Sequence, residues 1–578
     1  MRRLRNGLRA RAAVFVLGAM LFGVANAQVA LPPAVETAPL AKDTFATGML
    51  TRADGALDPT LWRGADPATL NFLLDAAPAR PSGPSLGEVL RRVLLTSGET
   101  PQGATSALGG RKLLALSRAG FIEETRTVAS ISNASRTDPW VNEALAVADL
   151  LDGDTPNACR RSTGLSARQD TPFWMKLRLL CFAAAGQRDA ADLTLTVLRE
   201  QGALDGVDET LLPALAIGAS PKTPVAPRNA LQYAAVRAMG LPLTPGLIGE
   251  ADGGVLAAIA EEPGLDPATR ITAASRAVAM GAISAAQLQV LYEGVKIEAA
   301  DLGRASDIAR ERPNDPLTDV ILFQSIRQMT APEFLRDKAS RISLALSIAD
   351  SFPRAYAASL LYSEDIVALE GALLTAEEAA QFALARMAVG DGDGAARWLF
   401  AALGVGGVSA LGEDKAMSMI ELVNLLSVLD PISAAAVAEA AKIDLGAPHP
   451  VGPSPRDPAA LIDDAAVARV VNAAFDAAIE EIPGQAALAA LAMSELAAPD
   501  DAVAAAVVDQ SLRAAGFNEL RRRMDFERAW RATFAPETLR SAMDAAAGAE
   551  ADAAPAATAP PPRGEGGLLP RLKPRSSP

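Results

Sequence analysis

Apolar residues recur every three or four positions along most of this chain, and glycines or prolines interrupt the pattern at short intervals. The stretch from Thr171 to Gly202 has both features, because an apolar stripe starts after Pro172, stops at Gly186 and then resumes. The apolar positions are Phe173, Leu177, Leu180, Cys181 and Ala184, followed by Ala190, Leu193, Val197 and Leu198. Such spacing places apolar side chains on one face of a helix. The stretch is therefore predicted to form two helices packed as a hairpin.

Recurrent dipeptides and glycines indicate where helices start and stop. An Asp before a Pro can accept hydrogen bonds from the free amides of a helix start, while Pro occupies the first turn without losing a bond. Such pairs begin at Asp58, Asp66, Asp138, Asp266, Asp315, Asp430 and Asp457. Amphipathic stretches end at glycines suited to a left-handed terminal residue, namely Gly120, Gly153, Gly186, Gly240, Gly281 and Gly516. Ser85 and Glu88 have the spacing of a capping box. These signals predict many short helices.

The arrangement of helix, glycine turn and helix recurs elsewhere. Residues 138–154, 266–295 and 375–403 each combine an apolar stripe with a glycine break. Trp140 and Trp174 lie 34 residues apart, and each closely follows a proline. A fixed period of this length is typical of a helical repeat protein.

These positions resemble a degenerate tetratricopeptide repeat over about residues 138–202, with a looser likeness at 375–403. The residues that carry the likeness are Trp174, Leu177, Ala183, Ala184, Ala185, Gly186 and Ala190. The family's Gly-x-x-Tyr after Trp-x-x-Leu is not met. The resemblance implies an all-α fold, an α-solenoid in which helical hairpins stack into a superhelix of right-handed type and leave a concave surface for a partner. Unrelated hairpins that share this spacing by coincidence are the alternative.

The composition of the ends sets the expected domain boundaries. Five arginines, a short apolar run and Ala25-Asn26-Ala27 give residues 1–27 the pattern of a signal peptide cleaved after Ala27. This leader predicts a periplasmic or secreted protein; a retained amphipathic anchor is the alternative. The remaining expected segments are a flexible lead-in (28–45), a helical-hairpin array (46–445), a Pro-rich linker (446–460), a C-terminal helical segment (461–545) and a disordered tail (546–578).

Charge and hydropathy limit the classes of partner. The chain has a formal charge of −14, and removal of a leader with five arginines and no acidic residue makes it −19. A chain this acidic repels nucleic acid and anionic lipid. No segment after the leader has about twenty unbroken apolar residues, so no membrane span is expected. The composition, 50% hydrophobic but 4% aromatic, favours closely packed helices over sheets.

Few histidines and cysteines are available for chemistry. His449 is the single histidine and lies between two prolines, so a histidine-dependent hydrolase is disfavoured. Two cysteines and one distant histidine do not match a structural zinc site either, and no metal or cofactor is expected. Cys159 and Cys181 are predicted to form a disulfide between antiparallel helices of an exported protein. Two buried, unpaired cysteines are the alternative.

Other polar clusters have simpler structural interpretations. Asp391–Gly394 hints at a calcium loop, but the twelfth position is Ala402 instead of glutamate, so a tight turn is favoured. The adjacent pairs Glu261-Glu262, Glu377-Glu378 and Glu480-Glu481 are interpreted as solvated helix faces. A basic cluster near the C-terminus is a candidate docking surface for an acidic partner, with a solvated basic face as the alternative. Its members are Arg521, Arg522, Arg523, Arg528 and Arg531.

The sequence therefore predicts an exported, non-enzymatic cell-envelope scaffold or adaptor that binds a protein or extended peptide through its helical surface. One alternative is an envelope enzyme that acts on peptidoglycan or another polysaccharide with carboxylates in the hollow of the superhelix. Such an enzyme requires a pocket in which acidic groups with perturbed pKa values converge. Another alternative is a structural envelope component tethered by its basic tail, Arg571 to Arg575.

Overall fold

The computed structural model describes residues 43–534 except 133, 135–137, 166, 373, 405–412, 444–463 and 498–500. Over these residues the chain is all-α, with 27 α-helices, two short 3₁₀ helices (Pro245–Leu247 and Pro332–Phe334) and no β-strand. The predicted leader, the linker at 446–460 with His449, and the basic tail lie outside the described residues. The expectations about them stay predictions.

The helices are short and begin or end close to the predicted positions. The first group comprises α1 (Pro67–Asp75), α2 (Pro84–Leu95), α3 (Ser106–Ala119), α4 (Ile122–Ile131), α5 (Pro139–Leu151), α6 (Thr155–Thr163), α7 (Pro172–Ala184), α8 (Arg188–Glu200), α9 (Asp208–Ile217), α10 (Ala230–Ala238), α11 (Gly253–Glu261), α12 (Pro267–Ala279) and α13 (Ala285–Gly294). The second comprises α14 (Ala299–Gly303), α15 (Ala305–Glu311), α16 (Pro316–Arg327), α17 (Leu335–Ser347), α18 (Phe352–Leu361), α19 (Ser363–Ala368), α20 (Ala376–Ala388), α21 (Gly392–Leu403), α22 (Glu413–Leu429) and α23 (Pro431–Ala441). The last comprises α24 (Ala465–Ile479), α25 (Pro483–Leu496), α26 (Ala502–Ala514) and α27 (Asn518–Ala532).

Most of the predicted helix starts are confirmed. The Asp carboxylate accepts a hydrogen bond from a first-turn amide in five of the seven Asp-Pro pairs, at Asp66, Asp138, Asp266, Asp315 and Asp430. Asp58 does not start a helix. It accepts hydrogen bonds from the amide and hydroxyl of Thr60 and so stabilises a turn. Asp457 lies outside the described residues.

The glycine stops are confirmed, but the proposed capping box is wrong. All six predicted glycines have a positive φ, as in Gly120 after α3 (105°) and Gly281 after α12 (77°). In contrast, Ser85 lies inside the first turn of α2 because Pro84 already starts the helix after Gly83. Proline's fixed φ suits the first helical position. The helix α2 therefore begins two residues earlier in the chain than a capping box at Ser85 would place it.

Predicted hairpins are confirmed at α7–α8, α12–α13 and α20–α21. The face that each helix buries is predicted less well. Leu193 was placed on the apolar face of α8 but is 67% exposed, whereas Ala191 and Leu195 are buried together with the predicted Leu198. The apolar residues of α8 form two overlapping stripes, and the neighbours α7 and α9 select one of them.

Trp140 and Trp174, the two positions used to define a repeat, have different surroundings. Trp174 is 1% exposed and contacts Phe173 edge to face. Trp140 is only partly buried, and its ring lies close to two guanidinium groups, at 3.8 Å from Arg111 and 3.3 Å from Arg168. The two tryptophans therefore do not fill equivalent packing sites.

Packing joins neighbours in sequence and also joins the two ends of the described chain. Helices close in sequence, such as α3 with α5 and α20 with α21, pack together. In addition, α2 packs on α25 and α27, and α1 packs on α25. The buried side chains form one continuous cluster. The contact between the terminal helices was not predicted, because periodicity describes only local stacking.

Gly484 permits a close approach at this contact between the ends. Its N–H donates to the carbonyl of Leu61 at 2.9 Å. A Cβ at position 484 would lie 2.7 Å from that oxygen and 2.6 Å from the ring of Trp62. Trp62 is 1% exposed, so the ring has little room to move. The absence of a side chain lets α25 seat against the segment that precedes α1.

None of the helices that the structure describes combines the length and the apolar character needed to cross a bilayer.

Candidate functional site

A cleft of about 550 Å³ opens where several helix ends meet. Its lining comes from α2, α11, α18 and α27, from the end of α3 and the start of α4, from the end of α5, and from the α12–α13 turn with the helix ends beside it. Small residues supply much of this lining, namely Gly120, Gly254, Ala257, Ala258, Gly281, Ala282 and Ala285. Eight charged side chains and several larger apolar ones supply most of the remainder. This site is called the charged cleft below.

Tight glycine contacts hold the walls of the charged cleft together. Gly120 ends α3 in a left-handed conformation, and a Cβ there would lie 2.7 Å from that of Ala282. Gly87 of α2 packs on the end of α12, where a Cβ would lie 2.1 Å from the carbonyl oxygen of Met280. The cleft is thus bounded by backbone segments that are in direct contact.

Four accessible carboxylates form an acidic group in the lining: Glu123 and Glu124 in the first turn of α4, Asp152 after α5, and Glu261 at the end of α11. Burial raises the pKa of Asp152, although its ion pair with Arg126 opposes the shift. Burial and the nearby charge of Asp152 raise the pKa of Glu261, against a hydrogen bond with Gln287. The charge of Glu123 acts in the same direction on both carboxyls. An approaching cation would relieve this repulsion.

An arginine group forms a second part of the lining. Glu88 of α2 accepts hydrogen bonds from Nε of Arg91 at 2.8 Å and from Nε of Arg92 at 2.5 Å. Burial acts to raise the pKa of Glu88, but these two hydrogen bonds hold it below the usual value. Arg523 of α27 lines the cleft beside Tyr356. Burial raises the pKa of the Tyr356 hydroxyl to about 12. The arginines are held in place while their guanidinium groups stay partly accessible.

A buried carboxylate ties the two helices that carry the arginine group. Glu527 of α27 is 3% exposed and accepts hydrogen bonds from Ser85 of α2, at 3.1 Å from its backbone N–H and 2.5 Å from its hydroxyl. Burial raises the pKa of Glu527 to about 7, against the stabilising effect of these bonds and of Arg523. Pro84, next to Ser85, lines the cleft. The contact between Ser85 and Glu527 therefore stabilises the cleft wall without being part of its lining.

The predicted disulfide is confirmed. Cys159 of α6 and Cys181 of α7 are bonded, with their Cα atoms 5.8 Å apart. The two helices pack together, as the prediction of antiparallel neighbours required. The disulfide is not part of the charged cleft.

Four of the five arginines predicted as a docking surface have contacts within the described chain. Arg521 pairs with Asp509 at 2.7 Å and with Asp525 at 3.1 Å. Arg528 lies 3.5 Å from Asp525. The remaining members are Arg522, which is partly buried, Arg523, which lines the charged cleft, and Arg531, which lies 4.3 Å from the centre of the Phe352 ring. Their docking role stays a prediction, and Arg523 is the member that reaches the candidate site.

The acidic clusters considered in the sequence are now placed. Asp391 caps α21 by accepting from the amide of Gly394, as expected for a tight turn. Within the described ranges, no three histidine, cysteine or acidic side chains form a group that could hold a metal ion. Glu261 is accessible, as interpreted, but it faces the charged cleft. The interpretation as a solvated face is wrong for Glu378, which is buried because it forms a capping box with Thr375 at the start of α20 and pairs with Arg336. Sequence reasoning missed the cleft, because its residues come from eight helices and share no local motif.

Comparisons of this chain with protein-family models, with curated proteins and with solved structures gave no match.

Proposed function

We propose that this protein is an exported, non-enzymatic scaffold or adaptor that binds a segment of a partner protein in the charged cleft. In this proposal the hairpins stack as a tetratricopeptide-like solenoid, and the protein acts in the periplasm or outside the cell. The observation that carries the proposal is the composition of the cleft, where accessible carboxylates and arginines line one space of about 550 Å³. That volume lies in the range of about 300 to 1,000 Å³ typical of ligand sites.

The chemistry of the cleft favours a polypeptide segment that carries both signs of charge. A Lys or Arg side chain of the partner would pair with Asp152 and Glu261, whose raised pKa values reflect burial and the nearby negative charge of Glu123. An Asp or Glu of the partner would pair with Arg91 or Arg92. Complementary charge of this kind contributes more to specificity and to association rate than to affinity.

Site-specific photo-crosslinking in intact cells tests the proposal. A photoreactive residue at Ser284, in the cleft lining, should give a defined covalent adduct with a partner protein. The same residue at Ile432, which is 85% exposed and outside the lining, serves as the control. Reversal of charge in Glu123→Lys/Glu261→Lys should abolish the adduct from Ser284. An adduct that survives this reversal, or that forms equally from position 432, would contradict the proposal.

A second candidate function is hydrolysis of an envelope polysaccharide by Asp152 and Glu261. The observation that favours it is the raised pKa of both carboxyls in one cleft. Against it, Phe121 and Tyr356 are the aromatic residues of the lining, whereas sugar sites usually stack their ligands on several aromatic rings. Turnover of a wall-derived polysaccharide by the purified protein, and its loss in Asp152→Asn and Glu261→Gln, would favour the enzyme over the adaptor.

A further inference from the structure

Helix α24 carries two apolar stripes, and only one of them is buried. Val467, Val470, Ala473 and Ala477 are buried, where α24 packs on α25. The second stripe includes Phe475, which is 52% exposed, and Ile479, which is 78% exposed. These two residues lie one turn apart on α24. Neighbouring exposed side chains of this size are typical of a contact surface.

The exposed stripe borders a narrow groove between α24 and α26. The groove is lined by Val471, Ala474, Phe475, Ala478, Val507, Gln510 and Ser511. Its volume of about 20 Å³ admits the tip of one side chain and is far below that of a small-molecule site, about 300 Å³ or more. The geometry suits a helix that lies across the groove, covers Phe475 and Ile479 with its apolar stripe and inserts one short side chain into the groove.

Ser511 provides a second, independent observation. Its side chain is buried, at 2% exposure, and its Oγ has no hydrogen-bond partner among the described residues. A buried hydroxyl without a partner is costly, and most buried polar groups in native proteins have one. A ligand that reached the groove floor with a polar atom would satisfy this hydroxyl.

The charge around the groove identifies the chemistry of the occupant. Asp476 and Glu480 each follow an exposed apolar residue of α24 by one position and are themselves exposed, as is Glu481. None of these three carboxylates makes an ion pair with a described residue. A partner with lysines or arginines beside its apolar stripe would therefore gain both burial and charge complementarity.

We propose that the groove between α24 and α26 docks an amphipathic helix of a partner protein, with an apolar stripe flanked by basic residues. The contact would be centred on Phe475 and Ile479, with the carboxylates of Asp476 and Glu480 at its edge. This surface is separate from the charged cleft, and neither proposal depends on the other.

Fluorescence anisotropy with the mature, full-length protein tests this inference. The probe is a labelled helical peptide with a leucine stripe flanked by lysines, and the matched control peptide has glutamates in place of the lysines. The lysine peptide should bind saturably, and the glutamate peptide about tenfold more weakly or worse. Phe475→Ser and Ile479→Asp should each weaken binding of the lysine peptide by about tenfold, as expected for central apolar anchors.

Ile432→Asp provides the matched control variant, because Ile432 is an exposed isoleucine of α23 at 85% exposure and should leave binding unchanged. Phe475 and Ile479 are both exposed, so the two variants should still fold, and circular dichroism would check this. Binding that is insensitive to Phe475 and Ile479, or equal for the two peptides, would overturn the proposal. It would also fail if Ile479→Asp converted a dimer to a monomer in ultracentrifugation, or if truncation after Phe534 were needed for the peptide to bind. Those results would identify a second copy or residues 535–578 as the occupant.

Discussion

At the residue scale, Glu527 is a buried carboxyl whose pKa, about 7, lies well above the ordinary value of 4.5 for a glutamate. The folded protein therefore holds this proton more tightly than the unfolded chain does. The resulting contribution to stability is complete below about pH 4.5 and is lost as the pH rises through about 7. The ionised form at higher pH persists because Ser85 donates two hydrogen bonds to it.

Glu527→Gln should remove this pH dependence, since a glutamine can still accept the bonds from Ser85 but does not titrate. The unfolding free energy of the wild type, measured relative to that of the variant, should fall by up to roughly 3 kcal/mol as the pH rises from 4.5 to 8. Urea unfolding of both proteins at several pH values measures it. Glu519→Gln, in an exposed position of the same helix, is the control. A difference that stays constant with pH would contradict the role assigned to Glu527.

Single-residue signals with a local cause were readable in the sequence, and those with a distant cause were not. Asp66 caps α1 and Gly281 ends α12 because side-chain oxygens and left-handed backbone act within one turn. Glu527 gave no such signal, because its partner Ser85 is 442 residues away. The residues of the charged cleft were missed for the same reason.

At the element scale, helices were located well, whereas their orientation about the axis was not. Leu193 of α8 belongs to a predicted apolar face but is exposed, and Ile479 of α24 is exposed although it fits the helical spacing of apolar residues. Both helices have apolar residues on more than one stripe, so the neighbouring helices decide which stripe is covered. An exposed apolar residue that fits the helical pattern therefore indicates a contact surface more strongly than an exposed apolar residue outside that pattern.

The link between α6 and α7 gives a prediction at this scale. The helix α6 has nine residues, too few for a stable isolated helix, and its disulfide to α7 closes a loop with a sequence separation of 22. Loss of that constraint should cost roughly 3 kcal/mol of unfolding free energy. The variant Cys159→Ser/Cys181→Ser should show this loss in urea unfolding, and a thiol reductant should lower wild-type stability equally without affecting the variant. Equal stability of oxidised and reduced wild type would refute the expectation.

At the scale of the whole described chain, the contact between α1, α2 and the helices α25 and α27 decides whether the fold behaves as one unit. A serial array with free ends can lose its terminal helices independently. Here the segment before α1 and the start of α25 share a hydrogen bond between Leu61 and Gly484. Unfolding of one end should therefore destabilise the other, although the two are more than 400 residues apart.

Gly484→Ala tests this coupling. A methyl group at that position would lie within 2.7 Å of the Leu61 carbonyl and of the buried Trp62 ring, so α25 has to shift. Overpacking of this kind should lower the unfolding free energy by roughly 1–3 kcal/mol. Gly164→Ala is the matched control, because a Cβ there meets no atom within 4 Å and its φ of −92° is available to alanine. That change should be neutral or slightly stabilising. Hydrogen exchange should then show faster exchange in both α1–α2 and α25–α27 of the Gly484 variant, because each end loses the surface that protects the other. Faster exchange confined to α25 would indicate that the terminal helices unfold independently.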